Sequence, residues 1–384
     1  MAQARAAEVP KHGRSRTTEG KPVPGSEASV TPNKRYEGLS SSAAQSCNMK
    51  IAVFSTRSYD QESLTQTAKE NQGFASCHHF EFFDVHLRAE TVRLAEGYDA
   101  VCVFVNDQID RPALKLLRSG GVRLVALRCA GYNNVDLNAA GELGMTVVRV
   151  PAYSPEAVAE HTVALILALN RKICRAHHRV REGNFSLEGL VGFNLHQKTV
   201  GLVGTGRIGK AVAKILGPGF GCKLLGFDPE PNKACVELGL EYVTLPELVA
   251  QSDIVSLHAP LLPSTAHLIN EPTIALMKTD VMLINTSRGA LVDTKAVINA
   301  VKTGKIGYLG LDVYEEETGL FFDDRSLQII PDDTFARLLT FPNVVITGHQ
   351  AFLTKEALDH IAQTTIENIL EFATGRTCRN QVRS

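Results

Sequence analysis

Along most of the chain, apolar residues come in short, nearly uninterrupted runs rather than alternating with polar ones, and stretches of helical spacing separate the runs. Runs of β-branched and aliphatic residues of this kind predict strands buried on both faces, and their alternation with helices predicts parallel sheets covered on both sides. From Met49 onward the expected strands are 50–55, 79–84, 100–105, 123–127 and 146–150, with helices near 60–71 and 113–118. A long Ala-rich helix follows at 156–170, with a possible extension through 171–181. Further strands are expected at 199–203, 223–227, 253–257, 281–285, 307–311 and 344–347, and a last helix at 355–373. Too little chain follows that helix for another domain, so its economical place is back on the first one.

The pattern thus predicts an α/β protein with two doubly wound parallel-sheet domains. A Rossmann domain, 152–349, is inserted in a discontinuous flavodoxin-like domain made of 49–151 and 350–384. Residues 1–48 carry no apolar periodicity and are rich in Ser, Gly, Pro and charge, so they are expected to be a disordered extension. Arg5, Arg14, Arg16 and Arg35 suit an organellar transit peptide, whereas Glu8, Glu19, Glu27 and Glu37 count against one. The expected location is the cytoplasm, or a chloroplast or mitochondrion if 1–48 directs import.

Composition narrows the classes of function. At 384 residues and 44% hydrophobic content, the chain can bury two sizeable cores. A net charge of -1 with scattered Lys and Arg argues against nucleic acid or an anionic membrane as a partner. The longest apolar helix is interrupted by Glu160 and His161 and is too short to span a bilayer. Eight cysteines without a C-x-x-C sit mostly in apolar segments and read as reduced, buried and intracellular. The adjacent pairs His78-His79 and His177-His178 lack zinc-site spacing, so no metal is expected.

One stretch carries specific chemistry. The strand at 199–203 runs into Gly204, Gly206 and Gly209 at the spacing G-x-G-x-x-G; a helix follows, then a second strand that stops at Asp228. In such a unit the first Gly permits a tight turn, the second admits a pyrophosphate to the backbone, and the third lets helix and strand pack closely. A carboxylate at the second strand end can accept from both ribose hydroxyls and repels a 2'-phosphate, so NAD is expected in preference to NADP. Later strands also end in polar loops, and Pro260, Arg288, Asp312 and His349 lie just past strand ends, where open parallel sheets bind ligands.

Dinucleotide chemistry needs a substrate clamp and a proton donor or acceptor. Arg288 follows a buried strand and precedes Gly289, which suits bidentate capture of a carboxylate. His349, between Gly348 and Gln350, is the acid/base candidate. Glu315, Glu316 and Glu317 are either a solvated acidic loop or supply a partner to a histidine; spacing alone does not choose among them.

These motifs resemble the D-isomer-specific 2-hydroxyacid dehydrogenases, and within that family the bacterial-type fermentative D-lactate dehydrogenases, from about residue 49 to the end. The resemblance rests on FVND at 104–107, RCAGYNNVDL at 128–137, VPAYSPEAVAEH at 150–161 and GTGRIG at 204–209. It continues through NTSRGALVD at 285–293, LDVYEEE at 311–317, LFFDD at 320–324 and GHQAFLT at 348–354. It implies that Arg288 binds the 2-oxo acid carboxylate, that His349 is the proton donor, and that Glu317 is its carboxylate partner. It further implies that Ala130 and Gly131 hold the carboxylate and that Tyr153, Phe104 and Phe352 shape a small pocket. Arg207, Ile208, Thr286, Ser287, Pro260 and Asp312 would line the cofactor, with Asp312 at the nicotinamide carboxamide. The implied reaction is reversible reduction of pyruvate by NADH in a homodimer or homotetramer. The alternatives are a hydroxypyruvate or glyoxylate reductase, a phosphoglycerate or formate dehydrogenase, and an NAD-sensing corepressor-like binding protein.

Overall fold

The computed structural model describes residues 48–383, so the expectation for 1–48 lies, but for Asn48, outside the described residues. The first sheet contains β1 (Met49–Val53), β2 (His78–Phe82), β3 (Ala100–Val103), β4 (Leu124–Leu127) and β5 (Thr146–Arg149), all parallel, in the order β2-β1-β3-β4-β5. This is the flavodoxin-like order, with its switch point between β1 and β3. Successive strand residues face opposite layers: Ile51, Val53, Cys102 and Ala126 join one core, while Ala52, Phe54, Val101 and Val125 join the other.

The second sheet contains β6 (Thr199–Val203), β7 (Lys223–Phe227), β8 (Leu240–Tyr242), β9 (Ile254–Leu257), β10 (Val281–Asn285), β11 (Ile306–Leu311) and β12 (Val344–Ile346). It too is wholly parallel, in the order β12-β11-β10-β9-β6-β7-β8. Its middle is the Rossmann arrangement, and the strand order reverses between β6 and β9, which puts the glycine-rich turn at the expected ligand crevice. Again two cores flank the sheet, with Val203, Val255 and Leu283 on one side and Val200, Leu202, Ile254 and Met282 on the other.

The long helix Pro155–Asn170 starts where predicted, because Ser154 accepts from the Ala157 N–H and Pro155 needs no hydrogen bond there. It does not run on through 171–181. Lys172 takes a left-handed conformation (φ 52°), which ends the helix and starts a separate one, Ile173–Arg181. The last helix, Lys355–Ala373, returns to the first sheet: Ser63 donates to Leu358 O, Asn368 donates to Arg149 O, and Val382 N donates to Val147 O. Among the described residues no helix is long and apolar enough to cross a membrane.

The pattern missed the edge strand β8 and several short helices. The helix after β6 begins at Arg207, directly after the second glycine, and continues as a π-turn, Ile215–Gly219, that contains Pro218. Five of the seven described cysteines are buried, but Cys77 is half-buried and Cys174 is exposed, against the expectation of general burial.

Candidate active site

The turn after β6 is built as the glycine spacing requires. Gly204 has φ 94°, and a Cβ there would fall 2.6 Å from the His258 carbonyl carbon, so only glycine lets the two strand ends meet. A Cβ at Gly209 would overlap Gly204 O, which is the close helix–turn packing expected of the third glycine. At exposed Gly206 a Cβ would meet nothing within 4 Å, leaving a bare cradle at a helix N-terminus, with Arg207 exposed beside it and Ile208 half-buried in the adjacent core. Asp228 follows β7 and is fixed from two sides. Its Oδ2 accepts from Thr205 N at 2.6 Å and from Thr205 Oγ1 at 3.2 Å, and its Oδ1 accepts from Glu230 N at 2.9 Å. An open helix N-terminus for the pyrophosphate and an anchored carboxylate one strand away fit NAD.

His258, which ends β9 beside this cradle, was not singled out in the sequence. Ser256 Oγ lies 3.0 Å from its Nε2, its buried Nδ1 has no partner among the described residues, and burial pushes its pKa down to about 4. Pro260 is exposed just beyond, and its carbonyl accepts from Thr265 Oγ1. Ser287 Oγ donates to Ala259 O, and the Thr286 hydroxyl lies 2.9 Å from that of Thr162, so the loops after β9 and β10 and the long helix are tied together.

Arg288 follows β10 and donates from Nη1 to Ser287 O at 2.7 Å. Its Nη2 occupies the place where a Cβ on Gly131 would sit, 2.6 Å away, so the structure brings Arg288 to the Ala130–Gly131 loop after β4. Arg149 Nη1 in turn donates to Ala130 O, and buried Arg128 holds the neighbouring loop through Phe54 O and Ser55 O. Tyr153 stands close by: burial, together with Cys129, raises its hydroxyl to about 12, opposed by Arg288.

His349 has φ 53°, and its N–H donates to Asp312 O at 2.7 Å. Its Nδ1 lies 2.9 Å from Glu317 Oε1, while Glu317 Oε2 accepts from Tyr314 N at 3.1 Å. The structure therefore selects Glu317 from the acidic run; Glu315 instead pairs with His267 at 2.5 Å and accepts from Thr294. A carboxylate only accepts, so Nδ1 carries the proton, and Nε2, which has no partner among the described residues, is left for chemistry.

Asp312 is closed in by the loop that carries His349. It is 1% exposed; Oδ1 accepts from Thr347 Oγ1 and Gln350 N, and Oδ2 accepts from Ala351 N. Burial alone would raise its pKa, but the bonds from His161, Thr347 and Ala351, with the charge of His349, hold it below the usual carboxylate range. The arrangement fixes the loop on either side of His349. His161, in the long helix, is a partner that the sequence does not reveal, because nothing in the spacing links it to residue 312.

An aromatic row lies between these polar groups. Ring centroids are 5.8 Å apart for Phe104 and Phe352 and 6.0 Å for Tyr153 and Phe352, so the three expected pocket residues adjoin one another. Phe322 extends the row, 5.2 Å from Phe104 and 5.6 Å from the His349 ring. Among the described residues no group of three or more His, Cys, Asp or Glu could hold a metal ion.

Residues 163–351 match the family model "D-isomer specific 2-hydroxyacid dehydrogenase, NAD binding domain". The chain is 54% identical to a D-lactate dehydrogenase of Escherichia coli over 87% of this chain and 100% of that protein. It is 53% identical to a D-lactate dehydrogenase of Curvularia clavata, over 85% and 93%. Among solved structures, the apo form of E. coli D-lactate dehydrogenase superposes with a TM-score of 0.79 at 52% identity, over 87% of this chain and all of that one. The pyruvate reductase of Chlamydomonas reinhardtii superposes at 0.81 and 48%, over 87% and 99%. An NAD-complexed dehydrogenase of Lactobacillus delbrueckii superposes at 0.71 and 32%, over 87% and 100%.

Proposed function

The chain belongs to the D-isomer-specific 2-hydroxyacid dehydrogenase family, an NAD-dependent oxidoreductase by that membership, and we propose that it interconverts pyruvate and D-lactate. The observation that carries the chemistry is the His349–Glu317 pair, 2.9 Å apart, with Nε2 left free. When bound, the nicotinamide supplies or takes up the hydride at C2. The protein's own residues handle the charge that develops there.

Arg288, held beside Gly131, pairs with the substrate carboxylate, and the Ala130 and Gly131 backbone lines the same end. His349 Nε2 delivers a proton to the carbonyl oxygen as negative charge grows on it, and Glu317 on Nδ1 stabilises the imidazolium and fixes its tautomer. Phe104, Phe352 and Tyr153 enclose the small remaining substituent and exclude water. Gly204, Gly206 and Gly209 with Arg207 and Ile208 cradle the pyrophosphate, Asp228 takes the ribose, and Pro260, Thr286 and Ser287 line the remainder. Asp312 serves this site mainly by fixing the loop that carries His349.

We take 49–151 and 350–384 as the substrate domain and 152–349 as the NAD domain, a division supported by the two separate sheets. The assembly we expect is a homodimer or homotetramer. Exposed Phe185, Leu187 and Val191, on the segment after the helix Ile173–Arg181, suit such an interface. Light scattering of the purified chain tests this. For location, the cytoplasm is the reading when 1–48 is retained, and a fluorescent fusion to 1–48 tests organellar import.

The decisive assay is NADH oxidation with pyruvate, glyoxylate and hydroxypyruvate side by side, with the lactate formed analysed for handedness. Pyruvate with the highest kcat/KM and D-lactate as product is the expected result. Preference for hydroxypyruvate, or L-lactate as product, overturns the proposal.

A further inference from the structure

The segment 320–324, LFFDD, leaves the loop after β11 in the second domain but is held by the first. Arg57, just beyond β1, donates from Nη2 to Phe322 O and to Asp323 Oδ1, each at 2.6 Å. His86, beyond β2, places Nε2 3.4 Å from Asp323 Oδ2, while its Nδ1 lies 2.7 Å from Ser55 Oγ. Ser55 Oγ donates in turn to buried Asp107. Phe322 takes φ 70°, a conformation that L-residues with a bulky side chain rarely adopt, and its own carbonyl is one of the groups Arg57 holds. Its ring packs against the cores of both domains, and it lies between His349 and Phe104.

Given the reading of Arg288 and His349 under Proposed function, on which this inference rests, a 2-oxo acid has two of the three directions around its trigonal C2 assigned. The carboxylate goes to Arg288 and the carbonyl oxygen to His349. The third substituent, beginning at C3, then meets the aromatic side, where Phe322 is the member of the row that touches His349 itself. We propose that Phe322 is a specificity-determining residue that limits the C3 substituent to a methyl-sized group, and that Asp323, clamped by Arg57 and His86, is the positioning residue that sets its pose. A one-ring wall is suited to this, because an apolar pocket discriminates by excluded volume, and each added carbon that cannot fit is worth one to two decades of kcat/KM. The clamp couples this wall to domain apposition, since the ring belongs to one domain and the groups that fix it belong to the other.

The test compares pyruvate, 2-oxobutyrate and 2-oxo-4-methylpentanoate with NADH in wild type, Phe322→Ala, Phe322→Leu and Asp323→Asn. The ratio of kcat/KM for 2-oxo-4-methylpentanoate to that for pyruvate should rise about tenfold or more in Phe322→Ala. It should rise less in Phe322→Leu, and in the same direction, about threefold, in Asp323→Asn. NADH affinity, read from fluorescence quenching, and thermal midpoint should stay at wild-type values in Asp323→Asn, which a general loosening of the fold would not allow. If Phe322→Ala melts early, Phe322→Leu carries the comparison. An unchanged ratio in the folded Phe322 variants, or equal loss on all three substrates, overturns the assignment. A ratio that moves in Phe322→Ala but not in Asp323→Asn overturns the clamp. A wild-type enzyme that reduces none of the three overturns the proposed function itself and takes this inference with it.

Discussion

The Nη2 of Arg288 fills the volume that a side chain on Gly131 would need: a Cβ built there would lie 2.6 Å from it. The guanidinium is the far end of a flexible chain, so Gly131→Ala should displace Arg288 without unfolding the protein. Since Arg288 Nη1 is tied to Ser287 O, the displaced fork would meet the substrate carboxylate off its bidentate geometry. The expected result is a rise of on the order of tenfold or more in KM for pyruvate, with NADH affinity unchanged. Steady-state kinetics with a fluorescence titration of NADH would decide it, and an unaltered KM would remove Arg288 from the carboxylate site.

His349→Ala should lower kcat by roughly 10²–10⁴-fold, the usual contribution of a positioned general acid. Glu317→Gln keeps the size of the side chain, but its single amide oxygen can accept from Tyr314 N or from His349 Nδ1–H and not from both, and the negative charge beside Nδ1 is lost, so kcat should fall, though less than in His349→Ala, by about 10–10²-fold. Both variants should bind NADH as wild type does. Equal loss of NADH affinity in the two would mean that the pair holds the cofactor instead of moving a proton.

Asp228→Ala should relax the choice of cofactor. Removing the carboxylate removes the repulsion of a 2'-phosphate, and the ratio of kcat/KM for NADH to that for NADPH should fall by at least about tenfold. The structure adds a consequence absent from the sequence: Asp228 also receives Thr205 N and Thr205 Oγ1, so the glycine turn loses an anchor and NADH affinity should drop too. Asp228→Asn, which keeps an acceptor for Thr205, should retain more NADH affinity than Asp228→Ala. Identical cofactor ratios in wild type and both variants would contradict the ribose role.

Those contrasts mark what the sequence carried and what it did not. Buried parallel strands were readable because an uninterrupted run such as Val281–Asn285 has no solvent-facing residue, and the glycine turn because Gly204 and Gly209 answer local steric demands while Gly206 leaves its cradle open. Several helices leave no periodic trace in the sequence although their start signals are present. Asn232, Thr244 with Glu247, Asn270, Asp293 and Asp332 all cap helices of ten residues or fewer, too short for periodicity to stand out. The site divides in the same way. His349 and Arg288 follow strand ends and could be found by position, whereas the choice of Glu317 over its two neighbours needed the family resemblance. The clamp of Arg57 and His86 on Asp323 joins residues more than 230 positions apart, and no local pattern encodes it. The position of Asp312 just past a strand end was legible. Its closure by Thr347, Gln350, Ala351 and His161 depends on where the last strand lands.

His258 gives the stability of the protein a pH dependence in a defined direction. Burial lowers its pKa from 6.5 to about 4, so it is neutral in the folded state where the unfolded chain would bind a proton. The unfolded state therefore takes up more protons below pH 6.5, and the contribution is complete above that value and lost as pH falls toward 4. A shift of this size corresponds to about 3 kcal/mol across the interval. His258→Gln keeps a polar group near Ser256 Oγ but does not titrate, so its stability should fall less steeply than that of wild type between pH 7 and 5. Urea unfolding of both proteins without NADH, at half-unit steps across that range, measures the difference in slope. Parallel curves would mean that His258 reaches solvent readily enough to charge within the folded protein.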